Sequence, residues 1–402
     1  MKKLRVGVWL SEKYKAEIGG GFGYYNMLVK KICNYQFKDA EIVFLSNNNE
    51  VNLVDAANRH NVTWKPFVPR EKNRLMNLFD RIFRNGSVRK SNKERMDENG
   101  KELKKELSRY VDVIYYPIPI CAFPNFPYIY TLWDLGHLST YAFPEVSMNG
   151  VFEARKKHHD FLPQKALMVF AESESGRKDI TKYLGINEER IKVVPLFPSE
   201  IVNGEIAPSI PKKLYPDLTF IHYPSQYWAH KNHYNLLVAF TKVIARFPSV
   251  KLVLTGSDKG NKEYIKRVIM QYGLENQVID LGFVSNEELK WLYMNSKGLV
   301  MPTFLGPTNM PLLEAAALNC PIACSRLDGH VEELGDYGYY FDPKNPEEMA
   351  NAICSMIEDK TNNATRVYKN NFNIDNALMA IDAAFSELKN IRFCWGTNDE
   401  IY

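Results

Sequence analysis

Three short stretches carry residues whose types and spacing can do chemistry. In the first, an apolar run at 298–301 gives way to the loop Gly306-Pro307-Thr308-Asn309, and a helical pattern then runs from Met310 to position 318. Pro311 falls in the first turn of that helix, where a missing N–H costs nothing, and Glu314 follows one turn in. A strand that ends in a small-residue loop at a helix N-terminus is a ready anion and ligand site, because unpaired N–H groups face it. The second stretch is Trp133-Asp134-Leu135-Gly136-His137, an acid and an imidazole at the end of a strand-like run at 128–133. In open α/β sheets ligands bind at such carboxyl ends. The third is Gly19-Gly20-Gly21-Phe22-Gly23, between an apolar strand at 4–10 and a helical pattern at 24–33. A glycine loop there lets backbone N–H groups approach a phosphate.

These stretches are spaced along a strand–helix alternation. Strands are expected at 4–10, 41–45, 111–116, 128–133, 166–171 and 191–194, with helices at 151–160 and from Ser173, a plausible N-cap. Residues 195–217 hold five prolines (Pro195, Pro198, Pro208, Pro211, Pro216) without periodicity, which places an interdomain linker at 201–217. The alternation resumes with strands at 218–222, 250–255, 277–281, 298–301 and 321–325, and helices ending near 247 and spanning 262–272 and 286–294. The expected domains are 1–200 and 218–375, with a C-terminal helix in 376–402 packing back on the first. Two α/β halves joined this way leave a cleft between them, a favoured place for a ligand.

Composition narrows the function classes. The chain has 402 residues, 45% hydrophobic and 24% charged, with a net charge of +4. That charge is too small to imply a nucleic-acid partner, and no apolar run is long enough to span a bilayer. The N-terminus, basic then apolar, runs into Ser11-Glu12-Lys13 without a small-residue cleavage site, so it reads as a first strand rather than a leader. Six cysteines without a CxxC pair suit a reduced, cytoplasmic setting. Cys320 and Cys324 are separated by Pro321, which breaks any helix that would pair them on a metal. The glycine spacing also fails the dinucleotide fingerprint. Tyr24 stands where a glycine or alanine is required, and the strand at 41–45 ends in Ser46-Asn47-Asn48-Asn49 with no acid for a ribose, which disfavours a nicotinamide dehydrogenase. Residues 68–109 differ from the rest, with 13 lysines and arginines against 7 acids. Leu75, Leu78, Phe79, Ile82 and Phe83 recur there at helical spacing beside Arg74, Arg81 and Arg84. This reads either as a solvated helical insertion or as a basic amphipathic surface for anionic lipid or a lipid-diphosphate acceptor, on the inner face of a membrane.

Read together, these motifs resemble the family 4 nucleotide-sugar glycosyltransferases, retaining enzymes with the α/β GT-B fold of two Rossmann-like domains facing each other across a cleft. The segment 281–289 is similar to the one that lies against the nucleotide base, which implicates Gly282, Phe283 and Val284. Pro311 to Ala315 matches the second half of the family's paired-glutamate motif, and Pro321, Glu332 and Phe341-Asp342-Pro343 follow at its spacing. Gly21-Phe22-Gly23 resembles the glycine loop below the donor phosphates, and Trp133-Asp134-Leu135 the segment where many members have His-Asp-Leu. The resemblance implies sugar transfer from a UDP- or GDP-sugar to a glycan or lipid-linked acceptor, in surface polysaccharide or glycolipid synthesis. No cofactor is expected beyond that nucleotide-sugar co-substrate.

Residue roles follow from the charge that develops on the departing diphosphate, which needs a cation and aligned N–H donors. Lys231 supplies the cation. The N–H groups of Asn309, Met310 and Leu312, with the Gly306-Pro307-Thr308 loop, meet the diphosphate or sugar, and Glu314 accepts both ribose hydroxyls. Asp134 and His137 are the expected groups for orienting the acceptor or taking its proton. Three positions depart from the family pattern. Gly306 stands where a glutamate usually lies eight positions before the ribose-binding one, Gln226 replaces an arginine, and Trp133 replaces a histidine. The sequence has no Asp-x-Asp, so the transfer is expected to run without a metal. The departures keep open a catalytically silent sugar-nucleotide or glycan-binding subunit, or a same-fold nucleotide-sugar epimerase.

Overall fold

In a computed structural model of the chain, residues 2–11, 20–46, 63–66, 103–202, 204–359 and 371–395 are described. The basic stretch expected at 68–109 lies outside the described residues up to position 102.

Two sheets carry the fold. The first is built from β1 (Leu4–Leu10), β2 (Ala40–Ser46), β3 (Thr63–Pro66), β4 (Val113–Tyr116), β5 (Tyr128–Thr131), β6 (Met168–Ala171) and β7 (Ile191–Val193), in the order β3-β2-β1-β4-β5-β6-β7. The second holds β8 (Phe220–Pro224), β9 (Lys251–Thr255), β10 (Val278–Gly282), β11 (Leu299–Met301), β12 (Ile322–Ser325) and β13 (Gly338–Phe341), in the order β10-β9-β8-β11-β12-β13. It is parallel throughout. Parallel strands are covered on both faces and therefore read as continuous apolar runs; β11 and β12 are buried at every position.

Helices join the strands: α1 (Gly20–Asn34), α2 (Gly136–Ser139), α3 (Pro144–Ser147), α4 (Val151–His159), α5 (Leu162–Lys165), α6 (Glu174–Leu184), α7 (His233–Arg246), α8 (Lys262–Gln271), α9 (Asn286–Asn295), α10 (Met310–Ala317), α11 (Asp328–Leu334), α12 (Pro346–Glu358) and α13 (Ile374–Arg392). Ser173 is the N-cap of α6, its hydroxyl accepting from Gly176 N at 3.0 Å. None of the described helices is long and apolar enough to cross a membrane.

Contact density divides the chain into two compact units. One comprises Met1–Leu132, Lys165–Phe170 and Leu378–Tyr402; the other comprises Trp133–Gln164 and Ala171–Ala377. The division therefore falls at Leu132 rather than in the proline-rich stretch at 201–217. Side-chain bonds explain it: Glu145 holds His230, Ser199 holds Glu314, and Glu332 holds the start of α6, all within the second unit. In the first unit Asp382 of α13 accepts from Lys38 N at 3.0 Å, and Phe385 packs on Phe37 and Tyr115.

One expectation about local structure is corrected. The glycines at 20–23 do not form a loop ahead of the helix but make its first turn, since α1 begins at Gly20. Gly21 thus lies at the helix start, where N–H groups lack intrahelical partners, and Gly23 lies at the end of that first turn. The candidate residues around positions 231 and 309 are carried by the second sheet. There β8 lies between β9 and β11, so the chain leaves β8 on one side and returns on the other, and the carboxyl ends of β8 and β11 flank a topological switch point.

Candidate active site

The loop after β8 ends in a short 3-10 turn, Ala229–Lys231, and Asn232 then takes a left-handed conformation with φ 60°. Asparagine tolerates that conformation better than most residues. The Asn232 amide donates to Pro302 O at 2.9 Å and Pro343 O at 2.8 Å, pinning the turn beneath the end of β11. His230 is gripped from α3, where Glu145 Oε1 accepts from its backbone N at 2.8 Å and its Nδ1 at 2.5 Å. The His230 carbonyl in turn accepts from Phe304 N at 2.9 Å. Lys231 is thereby held half-buried, its Nζ 3.3 Å from Asn309 Oδ1 on the neighbouring loop. Burial lowers the Lys231 pKa to about 8, opposed by the charges of Asp134 and Glu145.

Asn309 is the hub of the second loop. Its amide nitrogen lies 2.8 Å from His330 Nε2, and His330 Nδ1 lies 2.8 Å from Ser325 O. A carbonyl can only accept, so Nδ1 carries the proton and Nε2 accepts from the asparagine. That arrangement leaves Asn309 Oδ1 facing Lys231. Burial keeps His330 neutral, with its pKa lowered to about 4. The Asn309 backbone N donates to Glu333 at 3.0 and 3.3 Å. Thr308 Oγ1 donates to Glu172 Oε1 at 3.4 Å.

The loop backbone is seated tightly. A Cβ on Gly329 of α11 would lie 1.3 Å from Pro307 O, so only glycine permits that approach. At Gly306 φ is 126°, and a Cβ would lie 2.6 Å from Asn309 Nδ2. The missing glutamate at 306 therefore has a physical cause, because a side chain there is strained and displaces the residue that meets Lys231.

Glu314, on α10, is almost fully buried. Ser199 Oγ donates to its Oε1, and Tyr293 Oη donates to Oε2 at 2.9 Å. Burial raises its pKa despite those two bonds. Of the three N–H groups expected to meet a ligand, Asn309 N is taken by Glu333 and Leu312 N donates to Asn309 O at 2.9 Å, which leaves that of Met310. Gln226 Oε1 accepts from Trp228 Nε1 at 3.0 Å. Gly282 takes φ 72° at the end of β10, and Phe283 follows it 79% exposed, while Val284 packs against the Leu218 and Phe220 cluster. Met310, at the start of α10, is buried.

The stretch after β5 comes to the same place but is organised differently. Gly136 packs against Leu305, and Phe143 lies 5.2 Å from Phe304. Asp134 Oδ1 accepts from Gly136 N at 2.8 Å and pairs with Arg155. Burial raises its pKa, but the Arg155 charge and these bonds outweigh that and hold it below the usual carboxylate range. His137 is fully buried, and neither ring nitrogen has a partner among the described residues. It stacks on His159 at 5.0 Å with Phe152 edge-on, and burial lowers its pKa to about 4. Asp134 thus braces α2 and α4, and His137 packs against His159 and Phe152. Gly21 and Gly23 belong to the other unit.

Sequence reasoning did not single out Glu145, Glu172, Ser199, Tyr293, His330 or Glu333. Only the last left a trace. Glu332 was picked out by spacing, yet it accepts from Glu174 N and Ser175 N at 2.7 and 2.8 Å, and the adjacent Glu333 meets the loop.

Comparison with known proteins bears on this arrangement. Residues 209–373 match the family of glycosyl transferases group 1. An uncharacterised glycosyltransferase of Methanocaldococcus jannaschii is 31% identical over 31% of this chain and 32% of its own length. The O-antigen chain mannosyltransferase B of Escherichia coli is 24% identical over 51% of this chain and 55% of its own. The matches thus span about a third and about half of these relatives. Among solved structures, Anabaena HepE in complex with UDP superposes with a TM-score of 0.65 at 18% identity, covering 96% of this chain and 100% of that one. A sucrose-phosphate synthase from Thermosynechococcus elongatus gives 0.64 at 15% identity, covering 96% and 99%. At such identities the likeness is one of fold, and the fold is GT-B.

Proposed function

We propose, from the premise that this chain belongs through residues 209–373 to the glycosyl transferases group 1 family, that it is a retaining glycosyltransferase. It moves a sugar from a UDP- or GDP-sugar to a glycan or lipid-linked acceptor. The observation that carries this reading is the Lys231–Asn309 contact at the switch point of the second sheet. A half-buried ammonium there, beside the N-terminus of α10, faces the place where a leaving diphosphate gathers charge. Fixed charges and dipoles in such a dry setting act without reorganising. The Met310 N–H remains for the same phosphates, since its neighbours are taken or missing. Glu314 accepts the ribose through the lone pairs that Ser199 and Tyr293 leave on its two oxygens.

Retention needs no protein nucleophile if the acceptor attacks the face that the leaving phosphate departs from and that phosphate takes the proton. This suits a site where Asp134 is already paired and His137 is buried. Lys231 and the absence of an Asp-x-Asp support metal-independent transfer. The complex of HepE with UDP and the O-antigen role of the E. coli relative favour a uridine donor and a polysaccharide acceptor. Work at the inner face of a membrane, through the basic stretch 68–109, belongs to the same proposal.

A thermal-shift panel of UDP-, GDP-, ADP- and dTDP-sugars tests the reading. At 100 times its dissociation constant the true donor adds about 2.7 kcal/mol of stability, and slow donor hydrolysis disappears in Lys231→Met. Stabilisation by none of them would sink the proposal. Binding without hydrolysis or transfer would instead leave a sugar-nucleotide-binding subunit, the role that Gly306 and Gln226 keep open.

A further inference from the structure

Glu172 follows β6 directly, at the carboxyl end of a parallel strand, and none of the roles above uses it. It is 5% exposed. Oε1 takes the long 3.4 Å bond from Thr308, and Oε2 is buried with no hydrogen-bond partner among the described residues. Capping does not explain it, because Ser173 caps α6 and Glu332 serves the N–H groups of Glu174 and Ser175. Nor does ion pairing. Burial drives its pKa well above the ordinary value, and the charges that act on it, Asp134 and Asp179, are anions that push the same way. The charge of Glu172 in turn opposes the ionisation of Glu333. A buried oxygen left unsatisfied costs about 1–3 kcal/mol, and a native protein that keeps one calls for an explanation.

We infer that Glu172 reads the sugar of the donor, its free Oε2 meeting a sugar hydroxyl while the diphosphate lies at Lys231. This rests on the nucleotide-sugar reading given above. Position argues for it. Thr308 holds Glu172, and the next residue, Asn309, holds Lys231, so one loop joins the carboxyl to the cation. Chemistry argues for it as well. A carboxyl crowded by other acids repels phosphate but suits a neutral polyol, and a protonated carboxyl both donates and accepts, as a hydroxyl does. Position 306 cannot supply a carboxyl to the sugar, for its backbone is left-handed and its Cβ direction is filled by Asn309. Glu172 brings one to the same loop from a different strand end.

The test uses the full chain and two kinds of probe: UDP and GDP alone, then UDP-glucose, UDP-N-acetylglucosamine and GDP-mannose. In the wild type one nucleotide sugar is expected to bind more tightly than its own nucleoside diphosphate. Glu172→Gln should leave the affinity for the bare diphosphate unchanged and weaken the nucleotide sugar about tenfold, the equivalent of one hydrogen bond to a buried polar group. The KM for the donor should rise by the same factor. Thr308→Ala, which frees Oε1 without touching the carboxyl, should change the ranking of the sugars and not that of the bases. It also serves if Glu172→Gln does not fold. Equal weakening of diphosphate and sugar in Glu172→Gln would make the residue structural and overturn the inference. So would a variant that binds the sugar as the wild type does, or a wild type that gains nothing from the sugar. A wild type that responds to no probe overturns the donor reading itself, and Glu172 with it.

Discussion

After β5, Asp134 and His137 arrive within a few residues of the strand; after β11, Thr308, Asn309 and the start of α10 do the same. Both stretches belong to the second unit and press against each other through Gly136 and Leu305. Their polar groups are used differently. Asp134 pairs with Arg155 and its own turn, and His137 stacks on His159 with both nitrogens unpartnered. Asn309 reaches Lys231, His330 and Glu333, three groups from two other elements. A strand end is therefore only a location. It can become a site where residues from separate elements converge and leave a charge accessible, and in the proposed function that charge is Lys231.

The sharpest way to break this contrast is at Gly329. Alanine there drives a Cβ into Pro307 O and must move the whole 306–309 loop. Overpacking of this kind costs on the order of 3 kcal/mol, so Gly329→Ala should melt well below the wild type and lose nucleotide binding. A variant with unchanged melting and binding would show that the loop need not be seated on α11.

At the other strand end the expected effect is small and appears only in acid. His137 and His159 are both held near pKa 4 by burial, below the unfolded value of about 6.5. The unfolded chain then binds more protons between those values, so both residues contribute to a loss of stability as pH falls from about 6.5 towards 4. His137→Phe should keep activity and neutral-pH stability within about 1 kcal/mol, and flatten the acid limb of melting temperature against pH. A large loss of turnover in this variant would restore His137 to the chemistry.

How much of this was legible in the sequence depends on what each residue has to do. The strand at 4–10, the Ser173 cap and the helix from Met310 follow from local apolar period and capping, and they stand where expected. The strands Thr63–Pro66 and Gly338–Phe341 and the short helices Gly136–Ser139 and Pro144–Ser147 were not marked out, because four residues carry too little period. Lys231 and Glu314 stand out in the sequence because a cation and a carboxylate fall at helix starts. Glu145, Glu172 and His330 do not, since each matters only through a partner 85, 136 or 21 positions away. Gly306 was read as a lost carboxylate; the structure gives it a positive φ and a neighbour that fills the space.

The central claim is that Lys231 meets the diphosphate, and its pKa of about 8 makes that directly measurable. A bound anion beside the ammonium raises that pKa, so binding at pH 8 must draw in a proton. Calorimetric titration of UDP or GDP in buffers of different ionisation enthalpy should report uptake of about half a proton per site at that pH. The uptake should vanish in Lys231→Arg, whose guanidinium is charged throughout. Tight binding with no proton uptake, or the same uptake in the arginine variant, would contradict the account.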